Sequence, residues 1–169
     1  MSKLRQIDAS GRAVRLLPND SWATAVYSER GVSRCDQTFT VYTDKFHVGR
    51  VFEKGDAMRD LPNTRFCLTP LHSAPTNDPV VERSRRNTQS GFSLEIANGQ
   101  EIYCLNHSFY PLCVESVTLD RSVNLLTPPP YVHRLHQKAN RRVYNLREMV
   151  YLLITTNPRI SNSCTKCVV

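Results

Sequence analysis

Cysteine and histidine side chains are the first candidates for chemistry in this sequence. Cys67 or Cys113 could act as a nucleophile, with His72 or His107 as its base. Such a site also needs a group that orients the base and donors that stabilise an oxyanion, and the spacing of the residues supplies neither. The cysteines lie in apolar, strand-like segments, where a thiol is usually inert. No phosphate-binding loop is present, so we expect no enzymatic activity.

The C-terminal pair Cys164 and Cys167 has the C-x-x-C spacing of a metal site. A structural zinc site needs four ligands, and no second pair or suitably spaced histidine accompanies this one. Cys67, Cys104 and Cys113 lie within apolar runs and would act as small core residues in a reducing compartment. We therefore predict no metal and no other cofactor.

Basic side chains are distributed unevenly along the chain. The 169 residues have a net charge of +7. Residues 1–120 contain as many acidic as basic side chains, so the whole excess lies in residues 121–169. This asymmetry favours an anionic partner, which could be a phosphopeptide, an acidic protein face or a nucleic acid. A solvated basic surface without a ligand is the alternative.

Arg65 stands directly before the apolar segment Phe66–Leu68. A planar guanidinium binds both oxygens of a carboxylate and suits a partly buried one better than lysine does. That carboxylate could belong to Asp56 or Asp60 of the same chain, or to another subunit. Arg65 could also be an ordinary solvated charge at the end of a strand. The residues alone leave these three interpretations open.

The elements that must position these side chains are mostly short strands. Segments beginning at Trp22 and Gln37 alternate apolar with polar residues and are rich in β-branched and aromatic ones. A hairpin is predicted at Asn98-Gly99, because these residues tolerate the positive φ of a tight turn. Further strands are predicted at "RFCLTPL", "YPLCVESVTLD", "YVHRLH" and "RRVYNL", and a helix at "LREMVYLLITT".

A short amphipathic helix is predicted to start after Asp78. Asp78 can cap it, Pro79 suits its first position, and Gly91 ends the segment. Val80 or Val81 would face the core. The charged residues expected to remain in solvent are Glu82, Arg83, Arg85 and Arg86.

Many short strands, few helices and regularly spaced turns predict a mainly β fold. We expect a two-layer antiparallel β-sandwich with a short capping helix and a C-terminal helical segment. No apolar run approaches the roughly 20 residues that cross a bilayer, and the N-terminus lacks the apolar stretch of a secretory signal. The residues predicted to face inward are Trp22, Val26, Phe66, Leu68, Leu94, Ile96, Ile102, Leu105, Val114, Leu119 and Val143.

Several segments resemble, in order, the C-terminal Mad-homology domain of the Smad family. They include "RFCL", the E-x-x-R-R pattern that starts at Glu82, the glycine-led hairpin, "CLNHS", "LDR" and "RVYNLR". Upstream, Trp22 and "VGRVFE" resemble the opening strands of that domain. No single segment is diagnostic, but so many segments in the same order argue against a chance match. The resemblance covers roughly residues 22–150, and it leaves open whether the common-mediator or the inhibitory branch is the nearer one.

This resemblance implies a protein-interaction domain of a divergent Smad, of the Smad/FHA-like sandwich type. Such a domain binds other Smads as a hetero-oligomer, or transcription cofactors, and modulates transcription downstream of TGF-β-type receptors. The resemblance also implies a cytoplasmic and nuclear location, with no direct DNA binding and no membrane association. The implied subunit-interface residues are Arg65, Glu82, Arg83 and Arg86, and the implied phosphoserine-binding or anion-binding residues are Arg121 and Arg134.

The C-terminal part of the sequence departs from the family pattern. After Arg147 we find no counterpart of the family's "S-F-x-K-G-W-G" loop or of its last strand. We therefore expect a loose lead-in over residues 1–21, a domain over residues 22–153 that is incomplete at its C-terminal end, and a tail over residues 154–169. A sandwich without its last strand would leave an unpaired edge.

A nucleic-acid-binding module is the alternative function, because it would use the basic C-terminal third directly. Tyr131, His133, His136 and Tyr144 lie among arginines and lysines and could stack on bases. The other interpretation of these aromatic residues is packing within the sandwich.

Overall fold

The computed structural model describes residues 5–7, 13–15, 21–34, 38–50, 64–73, 75–121, 130–155 and 166–168. Within them the helices are α1 (Pro79–Thr88), α2 (Val117–Asp120), α3 (Leu146–Thr155) and one 3-10 turn (Leu71–Ser73). The strands are β1 (Arg5–Ile7), β2 (Ala13–Arg15), β3 (Ala23–Ala25), β4 (Ser28–Glu29), β5 (Val32–Ser33), β6 (Phe39–Val41), β7 (Lys45–Gly49), β8 (Arg65–Cys67), β9 (Phe92–Ala97), β10 (Glu101–Asn106), β11 (Leu112–Glu115), β12 (Val132–Leu135), β13 (Asn140–Asn145) and β14 (Lys166–Val168).

Two main sheets enclose the larger of two hydrophobic clusters in the described part of the chain. The larger sheet has the order β13-β10-β9-β7-β8, and the smaller has the order β12-β11-β14. The core takes Phe46 and Val143 from the larger sheet and Val114 and Leu135 from the smaller one. The pairs β3-β6, β4-β5 and β1-β2 form additional two-stranded sheets. The predicted mainly β sandwich is therefore confirmed.

One strand pair departs from the antiparallel pattern that we expected. β7 and β8 run parallel, with His47 opposite Arg65 and Val48 opposite Phe66. Parallel neighbours need a crossover of about a dozen or more residues, and the chain between these two strands, residues 50–64, is long enough to provide one. The other strand pairs of the described residues are antiparallel.

The C-terminal segment contributes to the smaller sheet. β14 pairs antiparallel with β11, so that Val168 lies opposite Cys113 and Lys166 opposite Glu115. β14 thus covers one edge of β11. The unpaired edge expected of an incomplete sandwich was not assigned to a particular strand. β14 was missed because its three residues carry only a short apolar pattern.

The strand predicted over "YPLCVESVTLD" ends early, at Glu115, and continues as helix α2. Ser116 caps this helix by accepting a hydrogen bond from the Leu119 amide at 3.4 Å, and its hydroxyl donates to the Val143 carbonyl. The Asn145 amide donates to the Thr118 hydroxyl at 3.1 Å. Since Val143 and Asn145 belong to β13, these side chains satisfy backbone groups along β13 in place of another strand.

The hairpin predicted at Asn98-Gly99 is confirmed. Asn98 and Gly99 both adopt positive φ, 53° and 64°. Ile102 lies opposite Ile96 and Cys104 opposite Leu94. The hairpin forms the centre of the larger sheet.

Most residues predicted to face inward do so. Leu68, Ile96, Val114 and Val143 are buried. The other predicted core residues are half-buried, with the exception of Val26, which is 54% exposed. Val26 was placed in the core by extending the alternation of the first strand, but β3 ends at Ala25 and the alternation ends with it.

Gly91 allows the chain after α1 to pack against β7. It has φ +62°, and a Cβ there would lie 1.8 Å from the Val48 carbonyl oxygen. We expect Gly91→Ala to lower the free energy of unfolding by about 3 kcal/mol or more, because overpacking adds to the strain of positive φ. Urea unfolding measures this loss.

Gly31→Ala is the matched control for this substitution. Gly31 has φ +78° with nothing within 4 Å of its Cβ position, so it should show only the conformational cost of about 1–2 kcal/mol. Equal losses for the two variants would contradict the contact between Gly91 and β7.

No helix in the described parts of the chain is both long enough and apolar enough to span a membrane.

Candidate protein-interaction surface

Helix α1 starts where the sequence predicted and is anchored at its N-terminus. The Asp78 carboxylate accepts hydrogen bonds from the amides of Val80 at 2.8 Å and Val81 at 3.3 Å. Its other oxygen forms a 2.9 Å ion pair with Arg30 from the β4–β5 hairpin. The hydrogen bond from Arg30 lowers the pKa of Asp78. The N-terminus of α1 is thus tied to a hairpin far away in sequence.

The middle of α1 is anchored by a buried ion pair that the sequence does not predict. We expected Arg85 in solvent, but it is only 3% exposed, and Glu29 is 6% exposed. The Arg85 Nε and Nη2 atoms donate to the two Glu29 oxygens at 2.7 and 2.9 Å. Arg34 lies 2.9 Å from the same carboxylate. The hydrogen bonds from Arg85 hold the pKa of Glu29 at about 2, against the penalty of burial.

The helix spacing contained a signal for this burial. Val81, Arg85 and Thr88 are the buried residues of α1, and their i, i+4, i+7 spacing places them on one face of the helix. An arginine on the apolar face of a short helix indicates a buried acidic partner. Glu29 itself could not be identified from sequence, because it lies in the β4–β5 hairpin, far from α1 along the chain.

Two further side chains complete this buried cluster. The Tyr27 hydroxyl donates to Glu29 Oε1 at 2.7 Å, and His72 Nε2 lies 2.8 Å from the same hydroxyl. Burial raises the pKa of Tyr27, and burial together with nearby arginines lowers the pKa of His72 to about 4. We call Tyr27, Glu29, His72 and Arg85 the α1 anchor.

The α1 anchor makes stability depend on pH. Because the folded state lowers the pKa of His72 from 6.5 to about 4, the unfolded chain binds more protons in this range. The free energy of unfolding should therefore fall as pH falls from 6.5 towards 4. Glu29 extends the loss below pH 4.5 as its carboxylate is protonated. Urea unfolding across this range measures how the free energy of unfolding changes with pH. His72→Gln should make this dependence weaker between pH 6.5 and 4. An unchanged dependence in this variant would contradict the role of His72.

The residues of α1 predicted to meet a partner lie on its outer side. Arg83 and Arg86 are exposed, and Glu82 is half-buried. Arg86 Nε donates to the Glu82 carbonyl at 3.4 Å, while the Glu82 carboxylate lies 3.7 Å from Arg85. The structure therefore brings together Glu82, Arg83 and Arg86 on one anchored helix, and their role at an interface stays a prediction.

Arg65 lies in a different element from the α1 residues. It is half-buried in β8, opposite His47 of β7. β7 in turn reaches the end of α1, since His47 Nε2 lies 2.9 Å from the Ser90 carbonyl. The two acidic partners considered for Arg65, Asp56 and Asp60, lie outside the described residues. The Nε and Nη2 atoms of Arg65 are buried, which argues against an ordinary solvated charge. A partner in the same chain and a partner in another subunit both stay open.

Arg121 and Arg134, predicted to bind an anion, are both exposed but lie in different elements. Arg121 follows α2, with its guanidinium 5.5 Å from the centre of the Tyr151 ring. Arg134 lies in β12, next to His133. His133 Nε2 is 2.7 Å from the Asp120 carboxylate, so each arginine is adjacent in sequence to one member of this pair. No contact joins the two arginines directly in the described residues.

The basic C-terminal third is partly neutralised by ion pairs. Arg142 pairs with Glu101 at 2.7 Å and with Glu148 at 3.0 Å, and the hydrogen bond that it donates to Glu101 raises the pKa of Arg142. Of the four aromatic residues considered for stacking on bases, only His136 is exposed. The arrangement therefore does not favour a stacking platform for single-stranded nucleic acid.

Two cysteines differ in environment from the expectation of buried thiols. Cys104 is buried, but Cys67 is exposed and Cys113 is half-buried. Cys67 is exposed because β8 is an edge strand of the larger sheet.

A cavity of about 80 Å³ lies between α1 and the loop that joins β10 to β11. We call it the α1 pocket. The loop, residues 107–111, places two aromatic side chains in solvent beside it: Phe109 is 75% exposed and Tyr110 is 47% exposed. Their rings make an edge-to-face contact at 5.6 Å. The lining residues are Ser84, Asn87, Gly91, Phe92, Asn106, Ser108, Tyr110, Pro111 and Leu112.

The family model of the MH2 domain matches residues 20–169. The match includes residues 154–169, which we expected to form a tail outside the domain. No curated protein matches the chain. Among solved structures, the chain is similar to one described as "Crystal Structure of Interferon Regulatory Factor 9 IAD Domain", with a TM-score of 0.48 and 11% identity. That match covers 82% of this chain and 65% of the other.

The predicted resemblance to the Smad C-terminal Mad-homology domain is thus confirmed over most of the sequence. This family consists of non-enzymatic protein-interaction domains. The chain belongs to the MH2 domain family.

Proposed function

We propose that this chain is the protein-interaction domain of a divergent Smad. It binds partner Smads or transcription cofactors and modulates transcription downstream of TGF-β-type receptors. It acts in the cytoplasm and nucleus, catalyses no reaction and does not itself bind DNA. Membership of the MH2 family supports the interaction role. The exposed charged face of α1 supports the proposal that partners bind there.

The observation that carries this proposal is the firm anchoring of α1 beneath an exposed charged face. The buried pair Arg85–Glu29 and the surface pair Asp78–Arg30 hold the helix at two points. Arg83 and Arg86 project from the same helix into solvent. A rigid element loses little conformational entropy on binding, and exposed charges steer a partner of opposite sign.

In this proposal Arg65, Glu82, Arg83 and Arg86 contribute to the subunit interface. The two α1 arginines meet carboxylates of the partner, because guanidinium groups bind these bidentately. Arg65 reaches the same assembly surface through β8, whose neighbour β7 contacts the chain just after α1.

Arg121 and Arg134 receive a phosphorylated serine of the partner in this proposal. Both are exposed, and each neighbours one member of the Asp120–His133 pair. A phosphoserine offers nearly two negative charges and strong acceptor oxygens to arginine side chains. A phosphoserine peptide and its unphosphorylated form should differ in affinity, and Arg121→Ala or Arg134→Ala should reduce that difference at least fivefold. Equal binding of the two peptides would contradict this assignment.

A pull-down against phosphorylated and unphosphorylated receptor-regulated Smads tests the proposed function. We expect the chain to retain at least one form, and the double variant R83E/R86E to lose it. The matched control is Arg147→Glu, which reverses an exposed charge on α3. Retention of neither form by the parent chain would contradict the proposal. Binding to random oligonucleotides that falls steeply between low and moderate salt would also contradict it, because such binding favours the nucleic-acid alternative.

A further inference from the structure

The walls of the α1 pocket are held in place by hydrogen bonds within the protein. Asn106, which is 1% exposed, donates to the carbonyls of Tyr110 at 2.9 Å and Leu135 at 2.8 Å. Its own oxygen accepts from the Ser108 amide at 2.8 Å. The Ser108 hydroxyl donates to the Asn87 carbonyl at 2.7 Å, which ties the loop to α1. The pocket is therefore formed before any partner arrives.

These bonds also determine what the pocket can accept. Because the polar groups of Asn106 and Ser108 are engaged with one another and with the backbone, the lining that faces a ligand is mainly apolar. Its apolar residues are Phe92, Tyr110, Pro111 and Leu112, and its other polar side chains are Ser84 and Asn87. The cavity of about 80 Å³ is several times the ~10–15 Å³ that one water needs. It has room for one aliphatic side chain, and it offers such a chain apolar contacts in place of water.

The mouth of the pocket has the composition of a protein-binding site. Phe109 is among the most exposed large apolar residues of the described chain, and Tyr110 lies beside it. Exposed aromatic residues around a small pocket are typical of the centre of protein interfaces. On the α1 side, Val80 is also exposed and lies one turn before Ser84 of the pocket wall.

The fully exposed charged residues of α1, the helix that forms one wall of the pocket, are basic. Arg83 and Arg86 are exposed, and each directly precedes a residue of the pocket wall, Ser84 and Asn87. Glu82, the acidic residue of this helix, is half-buried and faces Arg85. A partner segment lying along α1 into the pocket therefore meets positive charge, and acidic side chains complement it.

We propose that the α1 pocket binds a short segment of a partner protein that carries one aliphatic side chain flanked by aspartate or glutamate. The aliphatic side chain fills the cavity and packs against Phe109 and Tyr110. The acidic side chains pair with Arg83 and Arg86. This inference rests on the proposed function, since it uses the same face of α1, and it adds the chemistry of the segment that this face selects.

Selection of binders from a random 12-residue peptide library tests the inference. Peptides enriched on the parent chain should share leucine, isoleucine or methionine next to aspartate or glutamate. Replacing that aliphatic residue by aspartate should weaken binding at least tenfold by fluorescence anisotropy. Binding should also weaken with salt, because exposed charge pairs are screened. Enrichment of peptides without acidic residues, or of none at all, would overturn the proposal.

Protein variants locate the binding. Ser84→Trp fills the cavity, and Phe109→Ala removes an exposed side chain that the fold does not need. S84W should lower the affinity for an enriched peptide at least tenfold and F109A at least fivefold. R147E should leave this affinity unchanged. Unfolding curves show whether S84W is folded, and F109A provides the test if it is not. Unchanged binding by F109A together with a folded S84W would overturn the proposal.

The same variants separate this inference from the proposed function. If folded S84W still retains a complete Smad, the pocket is not the docking site, while the proposed function stands. If the parent chain binds no Smad but selects acidic–aliphatic peptides that S84W loses, the pocket assignment stands and the proposed partner is wrong.

Discussion

Arg85→Ala is expected to lower the free energy of unfolding by about 3–5 kcal/mol, since it leaves a buried charge without its partner. Glu29 would lose both of its short hydrogen bonds from Arg85 while remaining buried against Tyr27. Arg34 also pairs with this carboxylate, but its side chain is partly solvated and cannot replace a bidentate pair. Equilibrium urea unfolding at neutral pH measures the change.

The neighbouring residue Arg86 provides the matched control for this substitution. Arg86 lies on the same helix but in solvent, so Arg86→Ala should change stability by no more than about 0.5 kcal/mol. Glu29→Gln in the R85A background should recover part of the loss, because it removes the stranded charge. Similar losses for R85A and R86A would contradict the anchoring of α1.

Phe46→Ala is the second substitution with a large expected effect. Phe46 lies in β7 and is 2% exposed. Its ring stacks on that of Phe39, with 5.3 Å between the ring centres. Removing its ring should create a cavity at the centre of the sandwich and cost about 3–5 kcal/mol. The control is F109A, which removes the same ring from a site 75% exposed and should cost no more than about 0.5 kcal/mol. A small loss for F46A would contradict the position of the core.

The parts of the fold that could be predicted depend on neighbouring residues. Asp78-Pro79 predicted the start of α1, and Asn98-Gly99 predicted the central hairpin, because both signals arise within one turn of chain. Burial of Val114 and Val143 followed from alternation along their strands. The prediction that Val26 faces the core was wrong, because alternation does not show where a strand ends. The parallel pairing of β7 with β8 was missed because it depends on the path of residues 50–64.

The candidate site was predictable only in its outer layer. Arg83 and Arg86 were identified from helix spacing and from resemblance, and the structure places them on one face. The anchor beneath them was not predictable, because Glu29 and Arg85 are 56 positions apart in sequence. The α1 pocket likewise needs residues of α1, β9, β10 and β11 together. In both cases the sequence shows the residue types but not the contacts between distant segments.

Light scattering of this chain mixed with a complete Smad tests the central claim most directly. The claim is that the chain is an MH2 domain that joins other Smads through the anchored helix α1. It predicts a species whose mass is the sum of both proteins, and its loss when R83E/R86E replaces the parent chain. Separate elution of the two proteins at their individual masses, at concentrations up to about 100 μM, would contradict it, since a specific interface binds well below this concentration.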